Sequence, residues 1–287
     1  MKLFDATLDL AQFARGTEDY EISAVRNGQI ICNGLSGRVA EFGGGTIWFQ
    51  TGDSAGQFGK IKSSRAQVID LQDSFPDGYA AGDVITIGAW LEFDTQKLIN
   101  AVNSVLRTYK IMAGNHDLKY DPCRVSYELP DEVTDDIRRV ELPMNIPVTV
   151  PDEETGEGSE EEAEDHAAEL ILHYAHYVES HFWKSEDRHL TLYDRHKRAY
   201  LENGPIRIYY AKMHGAVGKT DEISAQVDPL YLRYMAWLYL CRNLLQETHK
   251  DNLIASDMYN EAKVYERDYS KLPNKHLHRK TWTFPQW

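Results

Sequence analysis

The sequence predicts an α+β protein with a helical bundle core, an antiparallel β-unit in its N-terminal part and a β-hairpin near residues 189–214. Two kinds of periodicity indicate this fold. Segments in the middle and last third repeat apolar residues at helical spacing, whereas the region before residue 90 has short runs rich in Ile, Val, Thr and Trp between glycine turns. Hydrophobic residues make up 42% of the 287 residues, enough to form a buried core.

Residues 1–90 are predicted to form a β-rich unit that begins with a short helix. Apolar positions between Leu3 and Phe13 follow the spacing of an amphipathic helix. From residue 21 onwards, runs such as GTIWFQTG and DVITIGAW alternate with Asn-Gly and Asp-Gly turns, which is typical of antiparallel strands.

Residues 91–270 are predicted to form the helical core. One helix is expected to follow Asp94, a good N-cap, and another to follow Asp228, where Pro229 suits the first helical position. The dipeptide Asn203-Gly204 is expected to form the turn of the hairpin. Helices are predicted near residues 94–110, 165–183, 228–248 and 253–270.

The overall composition argues against several classes of protein. A formal net charge of -14 is unlike that of proteins that grip nucleic acid across their surface, because those proteins need clustered Lys and Arg. Cys32, Cys123 and Cys241 lie far apart without a CxxC pair, so we expect neither a disulfide framework nor a zinc site, and a reducing compartment fits best. We expect neither export by a signal peptide nor a membrane span.

The sequence GNHD at residues 114–117 matches part of a motif of metal-dependent phosphoesterases. A dinuclear site of that kind also needs Asp-x-His, Gly-Asp-x-x-Asp and Gly-His-x-His segments, which this chain lacks. We therefore expect no catalysis here. Gly114 is expected to take a left-handed cap after the preceding helix, and Asn115 and Asp117 to favour the turn.

Two other segments resemble binding motifs but lack essential parts. HGAVGKTD at residues 214–221 has Met213 where a P-loop needs glycine, and no helix is expected before Pro229, so no nucleotide site is predicted. A helix face could hold a metal through Glu169, His173, His176 and His181. Neighbouring aromatic residues instead favour a packed or interfacial face, so no metal or cofactor is predicted.

Five segments, taken in order, resemble the head-to-tail connector family of tailed bacteriophages, which includes portal adaptors and head completion rings. They are LINAVNSVLRTY, YELPDEVTDDIRRVEL, PIRIYYAKMHG, YMAWLYLCRNLL and MYNEAKVYERDY, and they span about residues 94–270. The resemblance implies a virion structural protein, not an enzyme, that is assembled in the host cytoplasm. It implies a homo-oligomeric ring, commonly of twelve copies, that joins the portal protein to downstream neck or tail proteins. Packaged double-stranded DNA would pass through the ring without specific binding, and no membrane is involved.

Two charged segments are predicted to serve this assembly. Residues 271–287 hold four Lys or Arg, three large aromatic residues and no acid, which suggests an extended tail for docking to the portal. The predicted docking residues are Lys275, His276, Arg279, Lys280, Trp282, Phe284 and Trp287. Packing of this tail against its own subunit is the alternative.

The second charged segment lies within an acidic insert at residues 142–170. Residues 152–165 include nine acids and no base. A solvated loop, or the acidic first turn of a helix, is one interpretation of such a run. The other makes these acids channel or interface residues, with Asp152, Glu153, Glu154, Glu160, Glu161 and Glu162 as candidates.

The alternatives to a portal adaptor come from two classes. One is another neck or tail ring component, such as a stopper or tail terminator, whose folds lean on β-structure. The other is a metal-dependent phosphoesterase suggested by the isolated GNHD. The long helices predicted in the last third of the chain favour the adaptor.

Overall fold

The computed structural model describes residues 1–13, 17–35, 42–75, 78–88, 94–144, 177–193 and 200–247, together with Tyr259, Asn260, Lys263, Val264 and Arg267. Within these residues the protein is mostly β-structure, with fourteen strands in three sheets and three α-helices. The predicted helical bundle core is therefore wrong. The helices contribute to one of three apolar clusters, and strands with their connections build the other two.

The N-terminal strands form an antiparallel sheet, as predicted for this region. Their bounds are β1 Thr17–Glu21, β2 Ala24–Arg26, β3 Gln29–Ile31, β4 Thr46–Phe49, β5 Phe58–Arg65, β6 Val68–Leu71 and β7 Val84–Gly88. The seven strands lie in the order β1-β7-β4-β5-β6-β3-β2. Every neighbouring pair is antiparallel.

The two edge strands of this sheet are consecutive in the chain. Only Ile22 and Ser23 join β1 to β2, and so short a link spans roughly 10 Å. The sheet must therefore curl until its edges approach each other, which gives a half-barrel. Its interior is filled by fully buried isoleucines, namely Ile22, Ile30, Ile47, Ile61, Ile69, Ile85 and Ile87.

Three helices pack together in one apolar cluster. They are α1 Leu3–Phe13, α2 Thr95–Leu106 and α3 Pro229–Glu247, and each contacts the other two. Leu10, Leu98 and Leu240 are fully or almost fully buried in this cluster. An ion pair between Asp9 and Arg233 connects the first helix to the third. None of the described helices is both long and apolar enough to cross a lipid bilayer.

Both predicted N-caps are confirmed. Asp94 Oδ1 accepts a hydrogen bond from the backbone N–H of Gln96 at 2.8 Å. Asp228 Oδ1 accepts from the two backbone N–H groups that follow Pro229, at 2.8 and 3.1 Å. These bonds satisfy donors that the first helical turn leaves without a partner, so the caps define where α2 and α3 begin.

The remaining strands form two further sheets. Their bounds are β8 Lys110–Asn115, β9 Ser126–Glu128, β10 Ile137–Pro143, β11 Tyr177–Ser180, β12 Trp183–Glu186, β13 His189–Leu192 and β14 Arg207–Met213. One sheet has the order β11-β10-β14-β8 and the other the order β12-β13-β9. Their shared apolar cluster includes Tyr127, Val140, Leu190 and Ile208.

The predicted β-hairpin near residues 189–214 is wrong, although both of its strands exist. β13 pairs with β12 and β9, whereas β14 pairs with β10, so the two strands belong to different sheets. Asn203 has the left-handed φ of 60° that a turn requires, as expected for Asn-Gly. That turn leads into β14 without pairing it to β13.

The helix predicted near residues 165–183 is also wrong where the chain is described. Residues 177–186 form β11, a short turn and β12. The segment is rich in aromatic and β-branched residues, which favour strands when neighbouring strands are available to pair with them. The helix predicted near residues 253–270 lies mostly outside the described residues.

The contacts divide the chain into two compact units. The first comprises Met1–Ile111 with Met213–Lys275, and the second comprises Met112–Lys212 with His276–Trp287. The chain leaves the first unit within β8 and returns within β14, and these two strands are neighbours in one sheet. The second unit is thus an insertion in the first. The segment boundaries predicted at residues 90 and 270 remain a prediction.

Replacing Asp94 should destabilise the protein in a pH-dependent way. Burial alone would raise the pKa of Asp94, but hydrogen bonds from Lys60 and the Gln96 backbone outweigh it and lower this pKa. The carboxylate therefore contributes fully above its unfolded pKa of about 4, and this contribution is lost as the pH falls through the folded-state pKa. At pH 7, Asp94→Ala should lower the free energy of unfolding by about 1 kcal/mol.

Urea denaturation at pH 7 and at about pH 3 measures this effect. Asp94→Asn is the matched control, because its side-chain oxygen can still cap α2 while the ion pair with Lys60 is lost. It should be less destabilised than Asp94→Ala. An equal loss in the two variants would show that the cap contributes nothing.

Candidate functional site

Most residues predicted to bind partners lie outside the described part of the chain, so their roles remain predictions. The docking-tail residues there are Lys275, His276, Arg279, Lys280, Trp282, Phe284 and Trp287. The channel candidates there are Asp152, Glu153, Glu154, Glu160, Glu161 and Glu162. Glu169, His173 and His176, which were considered as metal ligands but not predicted to bind a metal, lie there as well. The structure does describe the two strands between which the acidic segment runs.

The acidic segment connects two adjacent antiparallel strands. β10 ends at Pro143 and β11 begins at Tyr177, and these two residues are directly opposite each other in the sheet. Both ends of the connection at residues 144–176 are therefore held at the same end of one sheet. The connection thus joins two strands that pair with each other. The first two residues of the acidic insert predicted at 142–170 belong to β10, and the rest of the insert lies in the connection.

A cluster of charged and aromatic residues lies on β10 and β11, which hold this connection, and on β14, which pairs with β10. We call it the stem cluster, and it consists of Arg139, Glu141, Tyr177, Arg207 and Tyr209. The pairing of β10 with β14 places Arg139 opposite Tyr209 and Glu141 opposite Arg207. Residues opposite each other on a sheet share a face, which brings these side chains together.

Glu141 is the centre of the stem cluster. Its side chain is 7% exposed and forms an ion pair with Arg139. Tyr209 donates a hydrogen bond to Glu141 Oε2 at 3.2 Å, and Arg207 Nη1 lies 3.9 Å from the same oxygen. The two guanidinium groups and the hydroxyl around this carboxylate offset much of the free-energy cost of burying its charge.

The aromatic rings complete the stem cluster. The guanidinium carbon of Arg207 lies 3.3 Å from the centre of the Tyr177 ring, and that of Arg139 lies 5.5 Å from the centre of the Tyr209 ring. Both distances are within cation–π range. Burial, followed by the nearby Glu141 carboxylate, raises the pKa of Tyr209, so its hydroxyl remains a hydrogen-bond donor at neutral pH.

The same end of the sheet is braced from a second direction. The carbonyl of Pro143 accepts a hydrogen bond from the backbone N–H of Leu201 at 2.9 Å, and Met144 forms a bridge with Tyr200. Gly204 lies so close to Pro143 that a Cβ atom there would be 2.6 Å from the proline ring. These contacts hold Pro143 and Met144, the last described residues before the acidic segment, against residues 200–204.

Sequence reasoning missed the stem cluster. Its signal is the spacing of two residues between Arg139 and Glu141 in RRVEL and between Arg207 and Tyr209 in RIYY, because every second residue faces the same side of a strand. That signal becomes specific only when the register between β10 and β14 is known. The sequence alone does not supply this register.

The GNHD segment forms the end of a strand and a tight turn. Gly114 is within β8 and not in the left-handed region, so its predicted role as a helix cap is wrong. Asn115 Oδ1 accepts from the backbone N–H of Asp117, which confirms the predicted turn. Asn115 Nδ2 donates to Asp117 and Glu132, both at 2.6 Å.

Asn115 and Asp117 of this segment are held by hydrogen bonds within the protein. The buried amide of Asn115 bridges the carboxylates of Asp117 and Glu132. The His116 ring packs edge-on near Tyr209, with centroids 6.5 Å apart. Across the described ranges, no three His, Cys, Asp or Glu side chains are grouped so that they could hold a metal ion.

The P-loop-like segment HGAVGKTD is hydrogen-bonded to helix α2 within the first unit, and we call it the strap. Asn103 of α2 donates to the Val217 carbonyl at 3.0 Å and accepts from the Val217 N–H at 2.8 Å. Lys219, the residue that a P-loop would direct at phosphate, lies 3.1 Å from Asp73 and over the Phe58 ring. The next helix starts only at Pro229, as expected, so no helix N-terminus follows the loop.

The histidine and cysteine residues do not form a site in the described chain. His181 lies between β11 and β12, so the helix face that was considered for a metal, and not predicted to bind one, does not form at this residue. Cys32 and Cys241 are buried and Cys123 is exposed, and none of the three forms a disulfide. Burial raises the pKa of Cys32 to about 11, so this thiol stays protonated and unreactive at neutral pH.

A scan of the chain against protein-family models and a search of curated proteins each returned no match.

Replacing Asn103 should test the strap. Asn103→Ala leaves the N–H and the carbonyl of Val217 without their partners, and we expect a loss of about 2 kcal/mol in the free energy of unfolding. Asn100→Ala on the same helix is the matched control, because Asn100 is exposed and contacts only Gln96 in the same helix. Equal stabilities of the two variants in urea denaturation would show that the hydrogen bonds of Asn103 to Val217 do not stabilise the fold.

Proposed function

We propose that this chain is a structural protein of a tailed-bacteriophage virion that forms a ring at the head–tail junction. Its partners would be the portal protein and the downstream neck or tail proteins, and double-stranded DNA would pass through the ring. The observation that carries the proposal is the placement of four segments that resemble the connector family. In the fold they associate in two pairs.

The first pair consists of LINAVNSVLRTY and YMAWLYLCRNLL. These segments form most of α2 and the centre of α3, and the two helices pack against each other. Val102, Val105, Ala236 and Leu240 are among the buried residues of that contact region. More than a hundred residues separate the two segments in the chain, so their contact is a tertiary one.

The second pair consists of YELPDEVTDDIRRVEL and PIRIYYAKMHG. They supply β10 and β14, which are adjacent in the four-stranded sheet. Val140 and Ile208 are opposite each other and fully buried. These segments resemble one family and also contact one another in pairs. Their association supports the proposal that they form the framework of that family's fold.

The β-rich architecture favours one type of ring protein over another. The adaptor interpretation rested on a helical core, and the described residues form mostly sheets. Stoppers and tail terminators lean on β-structure, so we favour a ring component of that type. The acidic composition is compatible with a DNA channel, because acids repel phosphates over a range of roughly 10 Å at ordinary salt.

Native mass spectrometry of the purified chain with and without its portal tests the proposal. We expect a small species alone and a high-order ring when portal or portal-bearing heads are added, because ring interfaces become multivalent on a symmetric platform. A metal analysis of the same sample and the pair Asn115→Ala and His116→Ala address the phosphoesterase. A mass that portal, heads and tails all leave unchanged would refute the ring protein.

Removing residues 275–287 should separate folding from docking. We expect the shortened chain to fold with the same thermal stability, since the described cores lie elsewhere, and to lose binding to portal-bearing heads. Two full-length variants refine the result, one with Trp282, Phe284 and Trp287 changed to alanine and one with Lys275, Arg279 and Lys280 changed to alanine. Undiminished binding by the shortened chain would show that the tail is not the docking element, and loss of folding would show that it packs on its own subunit.

A further inference from the structure

Strand β12 is at the edge of the three-stranded sheet and is strongly exposed. Within the described residues it pairs with β13 on one side only. Side chains on its outer face are open to solvent, with Lys184 58% and Glu186 64% exposed. Phe182 and Tyr193 continue this face and are 51% and 55% exposed, which is unusual for two large aromatic side chains next to each other.

The hydrogen bonds to β13 determine which backbone groups face outward. The carbonyl of Phe182 accepts from the N–H of Tyr193 at 2.8 Å, so the residues at alternate positions, Lys184 and Glu186, also point their backbone groups towards β13. The backbone N–H and carbonyl of Ser185 therefore point away from β13. No other described strand pairs with this side of β12, so these groups can pair with a further strand there.

The sequence around Ser185 is complementary to itself when it is read in the antiparallel direction. If two copies of β12 pair about a two-fold axis at Ser185, Lys184 of each copy lies opposite Glu186 of the other. This is a pair without direct backbone hydrogen bonds between its residues, where side chains approach most closely. Moving the axis to Lys184 or to Glu186 would instead place like charges opposite each other, which is unfavourable.

The exposed Phe182 also fits this arrangement. In the register centred on Ser185, it comes beside the turn that joins β12 to β13 in the second copy. That turn is made by Asp187 and Arg188, both with left-handed φ values, of 48° and 59°. The guanidinium of Arg188 is held by the Leu129 carbonyl at 3.0 Å and by Asp131 at 2.9 Å, so it is the turn itself that would cover apolar surface on Phe182.

We propose that two copies of this chain associate through β12, in an antiparallel pair centred on Ser185, to form a two-fold dimer in solution. Lys184 and Glu186 pair with each other along one strand. A second copy is the occupant because, in this register, each of these residues also lies opposite the opposite charge of the other copy, which gives four alternating charges. The two three-stranded sheets become one six-stranded sheet, and two Lys–Glu pairs form between the copies. The contact is short, so the dimer is weak and depends on concentration.

This dimer goes beyond the proposed function and does not rest on it. A two-fold contact closes on two subunits, whereas a ring needs a contact that repeats around an axis. The dimer is therefore a form of the free chain, before it joins a larger assembly. Charged residues on an edge strand also protect proteins from unwanted pairing, and in that case the chain would remain monomeric.

Charge reversal tests the register. Sedimentation equilibrium of the full chain without portal should show a mass that rises towards that of a dimer with concentration. Lys184→Glu and Glu186→Lys should each weaken the association about tenfold, because each places two like-charged pairs across the axis. The double variant Lys184→Glu/Glu186→Lys restores opposite charges and should recover the association of the unmodified chain.

Two further variants separate pairing from folding. Ser185→Pro removes an N–H that β13 does not use, so the sheet should survive while the dimer is lost. Lys62→Glu makes the same charge change at an exposed strand position of the other unit and should leave the association unchanged. Circular dichroism confirms that each variant is folded.

A chain that stays monomeric at the highest concentration would overturn the proposal. So would a dimer that is equally strong in both single variants, or a double variant that fails to recover. None of these outcomes involves portal or tail proteins. The dimer and the ring can therefore fail independently.

Discussion

The fold depends on the way the chain leaves its first unit through β8 and returns through β14. These strands are neighbours in one sheet, so the ends of the inserted unit are held side by side. Helix α2 precedes the departure and α3 follows the return, and yet they pack against each other. Closing a loop of more than a hundred unfolded residues costs entropy, and a folded insertion with adjacent ends removes much of that cost. Inside the first unit, the His214 N–H donates a hydrogen bond to the Tyr109 carbonyl at 2.9 Å, which joins the chain just before β8 to the chain just after β14.

Local features of the sequence predicted individual elements but not the fold class, which is mostly β-structure and not a helical bundle. The helices α1, α2 and α3 and the caps at Asp94 and Asp228 follow from spacing and from short-range hydrogen bonds. The antiparallel character of the N-terminal sheet follows from its turns. Pairing partners that are distant in the chain could not be predicted, because strand register depends on which surfaces meet. For this reason β13 and β14 were assigned to one hairpin although they belong to two sheets. For the same reason, residues 177–183 were wrongly predicted to be helical. The stem cluster was not predicted, because its members come from three strands.

Charge is distributed unevenly between the described core and the connections. Arg139 and Arg207 of the stem cluster are balanced by Glu141 of the cluster and by Glu179, which is outside the cluster and lies opposite Glu141 on β11. The sheet is therefore close to neutral where the acidic connection begins. The connection between β10 and β11 carries nine acids at residues 152–165, whereas the two paired strands together carry charges of both signs.

The three thiols differ in a way that has a practical consequence. Cys32 and Cys241 are enclosed in two different apolar clusters of the first unit, whereas Cys123 lies on an exposed turn of the second. A water-soluble maleimide should therefore modify the native chain at one position, because the buried thiols are protected by packing and, for Cys32, by protonation. The unaltered protein thus provides its own site for attaching a fluorophore or spin label to the inserted unit. Spectroscopy could then follow that unit separately from the rest of the molecule.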